Sequence, residues 1–237
     1  MDTGVKVRAV PSSDRAETAG RRERNKRVKA ERIRAAATSL FHTRGYRETT
    51  MKMIAAAANV APGTLFLYAA DKRELLLLII NEELDLLTAD TFSGVDRSAP
   101  LLDQLMHIFA ARYHYWGVDP ELSLRALQEV LLPQRGDDRP TSPFSRYQRR
   151  REGLISNIIE LLREQQTAGK LRADDDPATL ANLYMAIHLS VVRSWLRNFA
   201  PSIDAGVTQL RTLLGIAMRG SLIEPAGAAS DRPERGA

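Results

Sequence analysis

The stretch from Asn59 to Leu75, NVAPGTLFLYAADKREL, constrains the fold of this chain more than any other segment. Pro62 and Gly63 begin a predicted helix of about two turns, which is too short to be stable unless neighbouring elements hold it. The helix carries five large or polar side chains in succession: Thr64, Leu65, Phe66, Leu67 and Tyr68. A short helix cannot bury every face against a small partner. We therefore expect one apolar side chain to pack inward and the others to contact something outside this chain.

The residues before Pro62 predict two further helices and a tight turn. Gly45 is expected to end the first helix, because glycine accepts the left-handed conformation of a C-cap. Thr49 is the predicted N-cap of a second helix over residues 50–58. Residues 59–61 form a three-residue turn, and Pro62 fits the first turn of the helix that follows. Helix, turn and short helix together predict a helix-turn-helix.

The outer face of the short helix is the predicted functional surface. Val60 and Leu65 are placed to pack inward, and Phe66 is expected at the rim. The residues expected to point outward are Gly63, Thr64, Leu67 and Tyr68. In a helix-turn-helix, the second helix enters the major groove of DNA. We therefore interpret this face as a surface for double-stranded DNA.

Positive charge is concentrated in the N-terminal part of the chain. Residues 1–75 contain 16 Lys/Arg and 8 Asp/Glu, whereas the remaining residues contain 18 and 21. This asymmetry is typical of an N-terminal module that binds a polyanion, joined to a mildly acidic body. The alternative is a solvated basic tail without a specific partner.

The whole chain is predicted to be all-α, with a three-helix DNA-binding domain followed by a larger helical domain for ligand binding and dimerisation. Four segments are expected: a disordered basic arm over residues 1–24, the helix-turn-helix domain over 25–70, the helical body over 71–222, and a disordered tail over 223–237.

The last two predicted helices each carry an apolar stripe at helical spacing. Such stripes suit a four-helix bundle made from two copies of the chain. The residues assigned to this homodimer interface are Leu180, Ile187, Val191, Leu210 and Leu214. The alternative, which the sequence leaves open, is that both stripes pack into the core of their own chain.

Composition and motifs exclude several other classes of protein. Cysteine is absent, so disulfides, thiolate metal sites and cysteine nucleophiles are excluded. The longest apolar run, residues 75–80, is too short to span a bilayer, and the N-terminal residues lack the apolar segment of a signal peptide. We expect a cytoplasmic protein without membrane contacts.

An enzyme is the rival interpretation of a different class. The four histidines are isolated, and no metalloprotease motif, phosphate-binding glycine loop or nucleophile elbow occurs. His107 and His114 are seven residues apart, so they share a helix face and could hold a metal ion, although coincidence is the favoured interpretation. We predict no catalytic residues, no metal site and no cofactor.

Residues 31–76, ERIRAAATSLFHTRGYRETTMKMIAAAANVAPGTLFLYAADKRELL, resemble the tetracycline-repressor (TetR) family of bacterial transcription regulators. The resemblance rests on an alanine-rich helix ending before Gly45 and Tyr46, and on the order of the motifs that follow over roughly fifty residues. It implies a dimer whose N-terminal domains read two DNA half-sites and whose C-terminal domains bind a small effector.

The resemblance assigns DNA contacts to particular positions. Thr50 and Lys72 would bind backbone phosphate, and Lys52 would contact phosphate or a base edge. The basic arm around residues 21–27 could add salt-dependent affinity or reach a minor groove. The recognition surface would consist of Pro62, Gly63, Thr64, Phe66, Leu67 and Tyr68.

The sequence departs from the family pattern at several of these positions. Ala61 stands where a capping serine is common, Phe66 where tyrosine is common, and Tyr68 where histidine is common. The recognition helix therefore lacks Arg, Asn and Gln. Our hypothesis is that base reading depends on apolar contacts to thymine methyl groups, on Lys52 and on DNA shape.

The resemblance also places an effector pocket among the middle helices. The candidate lining residues are Met106, Phe109, Tyr113, Trp116, Tyr184 and His188. For each of them ordinary core packing is the favoured alternative. The run Arg112 to Trp116, RYHYW, is the strongest exception, because its polar and aromatic side chains cannot all be buried with partners. A further rival is a nucleoid-type DNA-binding dimer that responds to no effector and has a filled core.

Overall fold

The computed structural model describes residues 13–134, 137–198 and 202–219, and its regular elements in these ranges are helices. This confirms the all-α prediction. The chain divides into two units, Met1–Leu75 and Leu76–Ala237, and the boundary falls within the fourth helix. The helices are α1 (Ser13–Arg44), α2 (Met51–Ala57), α3 (Pro62–Phe66), α4 (Lys72–Ser93), α5 (Leu101–Gly117), α6 (Pro120–Leu131), α7 (Pro143–Thr167), α8 (Pro177–Leu196) and α9 (Ile203–Met218).

The core of the first unit is made by α1, α2 and α3. Its fully buried side chains are Ile33, Ala37, Phe41, Ile54, Ala55 and Leu65. Asn59 occupies the left-handed region at φ 52°, which the turn between α2 and α3 requires. Its carbonyl accepts a hydrogen bond of 3.0 Å from the Arg32 guanidinium of α1. The turn is therefore held by both flanking helices and by α1.

Helix α1 begins further toward the N-terminus than the sequence predicted. Residues 13–24 were expected to be disordered, but α1 begins at Ser13. From residue 20 to 32 its side chains are mostly exposed Arg, Lys, Glu and Ala, which are strong helix formers. Extending a helix that is already nucleated costs little, so this segment stays helical without an apolar face. Residues 1–12 and the predicted tail over 223–237 lie outside the described residues.

The start of α2 corrects the predicted cap. Thr50, and not Thr49, is the N-cap, and its hydroxyl oxygen accepts a hydrogen bond of 3.2 Å from the amide of Met53. Thr49 is fully buried instead. Its hydroxyl lies 2.8 Å from the Gly45 carbonyl and 3.1 Å from the Leu40 carbonyl. Gly45, at φ 81°, turns the chain so that these carbonyls face Thr49, which satisfies the end of α1.

The second unit is a helical bundle in which α8 packs against α6, α7 and α9, while α5 packs against α9. Aromatic rings fill the region where α5, α8 and α9 meet. Tyr113 lies with its ring centroid 5.0 Å from that of Trp195 and 5.9 Å from that of His188. The indole nitrogen of Trp195 donates a hydrogen bond of 2.8 Å to the Ser202 carbonyl just before α9. These rings fix where α9 begins.

Gly206 allows α9 to approach the aromatic rings. A Cβ at this position would lie 2.7 Å from Tyr113 Cε1 and 2.9 Å from Trp195 Cδ1. Both neighbours are rigid and buried, so neither ring can move away freely. By contrast, a Cβ at Gly215 on the same helix would meet only Leu102 Cδ2, at an ordinary 3.6 Å.

We predict that Gly206→Ala and Gly215→Ala change stability in opposite directions. Overpacking against Tyr113 and Trp195 should lower the free energy of unfolding by about 1–3 kcal/mol. Gly215→Ala should raise it by up to about 1 kcal/mol, because alanine favours helix. Urea unfolding followed by circular dichroism measures both. Equal effects of the two substitutions would contradict the proposed close packing at Gly206.

Candidate DNA-binding surface and effector cavity

The short helix α3 is held by one side chain and leaves the rest of its surface open. Leu65 is fully buried, whereas Leu67 is 86% and Phe66 is 53% exposed. Pro62 and Gly63 are also exposed, and Thr64 and Tyr68 are half-buried. Adjacent exposed apolar side chains of this size are typical of a surface that contacts a partner. Leu65 therefore faces inward and Gly63 and Leu67 face outward as expected, whereas Thr64 and Tyr68, also expected to face outward, are half-buried.

The start of α3 lacks a side-chain cap. Ala61 is its N-cap and makes no side-chain hydrogen bond, as the departure from the family pattern indicated. The main chain supplies the first bonds instead, since the amides of Thr64 and Leu65 donate to the Ala61 carbonyl at 2.9 and 3.2 Å. Tertiary packing of Leu65 must therefore provide most of the stability of this helix.

A groove lies beside α3, between it and the N-terminal half of α1. The Tyr68 hydroxyl donates a hydrogen bond of 2.9 Å to the Lys26 carbonyl, which ties the two helices together. The groove has a volume of about 410 Å³. Its lining residues are Arg22, Asn25, Lys26, Lys29, Thr64, Leu67 and Tyr68. The exposed face of α3 is thus continuous with a basic surface on α1, a combination suited to nucleic acid.

Lys72 forms hydrogen bonds within the chain that the resemblance did not indicate. Its Nζ donates to the carbonyls of Tyr46, Arg47 and Thr49 at 2.6, 3.2 and 2.8 Å, and lies 4.4 Å from the centre of the Tyr46 ring. An ammonium group has three protons, so these carbonyls match its donors. Lys72 closes the segment between α1 and α2, and a phosphate contact would require it to give up one of these bonds.

Thr50 and Lys52 lie at the exposed N-terminal end of α2. The Thr50 oxygen accepts from Met53, and its single proton remains available for a phosphate oxygen. Both side chains are therefore accessible to DNA in the way that the resemblance implied.

The six predicted effector-pocket residues are all buried, and two of them line one cavity of the second unit. Trp116 and His188 border a cavity of about 30 Å³ in the second unit. Met106, Phe109, Tyr113 and Tyr184 lie outside this lining. Phe109 stacks on the His188 ring with 4.5 Å between the ring centroids.

Four polar residues that line this cavity are outside the six candidates: Arg112, Tyr147, Arg150 and Arg151. A signal was present for the first of them. Arg112 and Trp116 are four residues apart on α5, so they share one helix face. Arg150 lies three residues after Tyr147 on α7, and its guanidinium carbon is 4.8 Å from the centre of the Tyr147 ring.

Burial sets the protonation states around the cavity. Desolvation, followed by the positive charge of Arg112, lowers the pKa of His188 to about 3, so its imidazole is neutral at pH 7. Desolvation and the nearby Arg150 lower the pKa of Arg112 to about 10, which leaves its guanidinium cationic. Burial raises the pKa of Tyr184 to about 12. The hydroxyls of Tyr113 and Tyr184 and the Nδ1 atom of His188 are buried without a hydrogen-bond partner.

Burial within the single chain favours the alternative for four of the five residues assigned to the dimer interface. Leu180, Val191, Leu210 and Leu214 are buried within the single chain, and Ile187 is half-buried. The two stripes pack into their own core because α8 and α9 lie against each other and against α5 and α7. The apolar side chains that these two helices expose are on other faces: Leu183, Leu213 and Ile216.

The remaining predicted features concern metals and membranes. His107 and His114 are both exposed on α5. Within the ranges that the structure describes, no group of three or more His, Asp or Glu side chains is arranged to hold a metal ion. In the same ranges, no helix is both long enough and apolar enough to cross a membrane.

Comparisons with known proteins agree with this surface. Residues 33–79 match the family described as bacterial regulatory proteins of the tetR family. An HTH-type transcriptional regulator of Haemophilus influenzae is 26% identical over 153 residues, which cover 61% of this chain and 82% of the relative. Thermus thermophilus FadR, a TetR-family transcriptional repressor solved in complex with lauroyl-CoA, is 26% identical with a TM-score of 0.64, covering 84% of this chain and 98% of FadR. Bacillus subtilis FadR, solved in complex with stearoyl-CoA, shares the fold at 17% identity with a TM-score of 0.62, covering 78% and 96%.

The helix-turn-helix and the relatives that share it define a DNA-binding transcriptional regulator. The match over residues 33–79 supports the resemblance to the TetR family of bacterial regulators that the motifs indicated.

We predict that His188 makes the fold sensitive to acid. Its folded pKa of about 3 lies below the ordinary value of 6.5. Between these values the unfolded chain binds a proton that the folded chain excludes. Stability should therefore fall as the pH is lowered from 7 to 5, at up to about 1.4 kcal/mol per pH unit. In His188→Gln this part of the dependence of stability on pH should disappear. The control His107→Gln, which replaces an exposed histidine, should keep it. Urea midpoints at pH 7, 6 and 5 measure the slopes, and an unchanged slope in His188→Gln would exclude this role.

Proposed function

We propose that this chain is a dimeric repressor whose helix-turn-helix domain, residues 25–70, blocks a promoter, and whose helical body, residues 71–222, responds to a small effector. The observation that carries the DNA-binding part is the pair of exposed apolar side chains, Leu67 and Phe66, beside the basic groove on α1. No solvent-exposed role explains such a surface as well as an absent partner.

The exposed face of α3 reads bases mainly through shape and apolar contact. Leu67 and Phe66 are suited to thymine methyl groups, and Thr64 can bond to either type of base pair. Lys52 and Thr50 hold the backbone on one side of α3. On the other side, the basic residues of the groove supply salt-dependent affinity. Because Tyr68 joins α1 to α3, the basic segment of α1 and the recognition helix act as one surface.

Dimerisation supplies the spacing of two half-sites. The exposed residues Leu183, Leu213 and Ile216 on α8 and α9 form the interface in place of the buried stripes. Two copies that meet through α8 and α9 make a four-helix bundle. The recognition helices of the dimer then lie about 34 Å apart, one turn of DNA.

Effector binding releases the DNA. Thermus thermophilus FadR, at 26% identity, was solved with lauroyl-CoA, which supports a lipophilic effector for this chain as well. The cavity of about 30 Å³ has room for one or two water molecules only. A lipophilic effector that binds at this cavity therefore has to displace α7 or α8 from its neighbours, and that displacement couples binding to α4 and to the DNA-binding domain. Coupling free energies of this kind are about 1–3 kcal/mol.

A nucleoid-type protein without an effector is the second candidate function. The observation that favours it is the same small cavity, since a filled core needs no ligand. An enzyme gains no support, because the relatives named above are regulators.

Selection of bound duplexes from a random DNA library tests the regulator. We expect a two-fold symmetric site with half-site centres one helical turn apart. Leu67→Ala should weaken binding about tenfold and relax the preference at one position in each half-site, because one mismatched contact costs about 1–3 kcal/mol. Leu86→Ala, which removes another exposed leucine from α4, is the matched control. Binding without sequence preference that only fades with salt would favour the nucleoid-type candidate.

A charge on the outer face of α9 tests the dimer. We expect Ile216→Lys to convert a particle of twice the 26.4 kDa chain mass into a monomer, because a lysine cannot be buried at an apolar interface without a partner. Operator affinity should fall with it, while the helical signal in circular dichroism stays unchanged. Leu86→Lys is the control for an exposed leucine away from α8 and α9. A dimeric Ile216→Lys protein, seen by light scattering, would place the interface elsewhere.

A further inference from the structure

Two guanidinium groups are buried together at the cavity of the second unit. Arg112 comes from α5 and is 4% exposed, while Arg150 comes from α7 and its side chain is 10% exposed. Both line the cavity. Burying a cation costs several kcal/mol unless hydrogen bonds and an opposite charge compensate for the lost water. Two cations at one cavity therefore require an explanation.

The hydrogen bonds of the two arginines differ. Arg112 is well bonded, since its Nη1 donates to the Ile108 carbonyl at 2.9 Å and its Nη2 to the Thr88 hydroxyl at 3.0 Å. Arg150 is not, because its Nε and Nη2 atoms are buried without a hydrogen-bond partner. Buried donors without an acceptor are rare in folded proteins, because each has lost its hydrogen bonds to water without a replacement.

The one carboxylate that is paired with Arg150 is a poor partner. Asp85 places its Oδ1 atom 3.6 Å from Nε of Arg150, which is beyond hydrogen-bonding distance. The other oxygen of Asp85 is bonded to Arg146 at 2.7 Å. Asp85 is also partly exposed, so water screens its charge. The positive charge at the cavity is therefore only partly compensated.

The cavity lining adds positive charge and no negative charge. Arg151 is a third arginine there, and none of the described lining residues is acidic. His188 contributes a neutral imidazole whose Nδ1 has no partner. An anion in this cavity would accept hydrogen bonds from the unpaired N–H groups of Arg150. Its negative charge would also offset the repulsion between Arg150 and Arg112.

The rest of the lining is apolar. It consists of Leu84, Trp116, Leu127, Leu154, Met185, Leu189 and Val192. A few polar groups in an otherwise apolar lining are typical of a site for an amphiphilic small molecule.

We propose that Arg150, supported by Arg112, is the anion-binding site for the effector, which carries an oxyanion on an apolar chain. The oxyanion is a carboxylate or a phosphate. This inference rests on the proposed effector response, and it adds the charge of the effector and the residues that recognise it. Arg150 makes the direct contact, and Arg112 adds charge from its position on α5.

Calorimetric titration of the DNA-free protein tests the site with three probes that share one apolar chain: dodecanoate, lauroyl-CoA and the neutral alcohol dodecanol. We expect at least one of the two anionic probes to bind about ten- to a hundredfold more tightly than dodecanol, because charge-assisted hydrogen bonds to a buried arginine are strong. Tighter binding of dodecanoate assigns the oxyanion to a carboxylate, and tighter binding of lauroyl-CoA assigns it to a phosphate.

Arg150→Met should remove this advantage and leave the affinity for dodecanol unchanged. Arg150→Lys should give an intermediate loss, because lysine keeps the charge but not the planar set of donors. Arg163→Met, an exposed arginine further along α7, is the control and should bind as the unchanged protein does. Thermal melts of each variant establish that it is folded. If Arg150→Met does not fold, the loss of affinity in Arg150→Lys tests the site in its place.

Two outcomes would overturn the proposal. One is equal affinity for dodecanol and the anionic probes, or binding of none of the three. The other is an affinity for the anionic probes that is the same in Arg150→Met and Arg150→Lys as in the unchanged protein. In that case the two arginines would have a structural role and no role in ligand binding. Failure of the wider proposal is seen separately, by fluorescence anisotropy of a labelled operator. If an anionic probe binds through Arg150 but does not release the operator, the anion site stands and the effector-controlled repressor does not.

Discussion

The burial of Leu65 is the interaction on which the DNA-binding surface depends. Helix α3 has five residues and no side-chain cap, so it has little stability of its own. With Leu65 in the same core as Ile54 and Ala55, the helix is fixed, and every neighbouring side chain on α3 is free to face outward. The hydrogen bonds of Lys72 and Thr49 add to this by closing the segment between α1 and α2. Recognition therefore rests on a few interactions that hold one short helix at the surface.

The second unit is under an opposite constraint, because it buries charge and unpaired polar groups. Arg112 and Arg150 lie beside a neutral His188, and the hydroxyls of Tyr113 and Tyr184 have no partner. A core selected only for stability would contain apolar side chains of similar volume at these places. Buried polar groups that remain unsatisfied are typical of sites that become complete on binding. This contrast between the two units agrees with the proposal that the first unit binds DNA and the second binds the effector.

The differences between prediction and structure have specific causes. The stripe through Val191 and Leu210 has the same helical spacing whether it faces a second copy or its own core, so periodicity could not separate the two. Thr49 and Thr50 are both good caps, and only the turn at Gly45 decides which hydroxyl reaches the helix and which is buried. The basic segment from residue 20 has the composition of a disordered arm, but it continues a helix that α1 has already nucleated.

The sequence by itself determined the all-helical fold, the helix-turn-helix and the outward face of α3, because local signals carry that information: a proline and a glycine at a helix start, one inward leucine, and a run of basic residues. Only the tertiary structure decided which residues share a cavity. Arg112 on α5 and Arg150 on α7 are far apart in the sequence, and although Arg112 begins the run RYHYW, nothing around either residue indicates the other. Their burial follows from how α5, α7 and α8 pack, which is a property of the whole core and of no single segment.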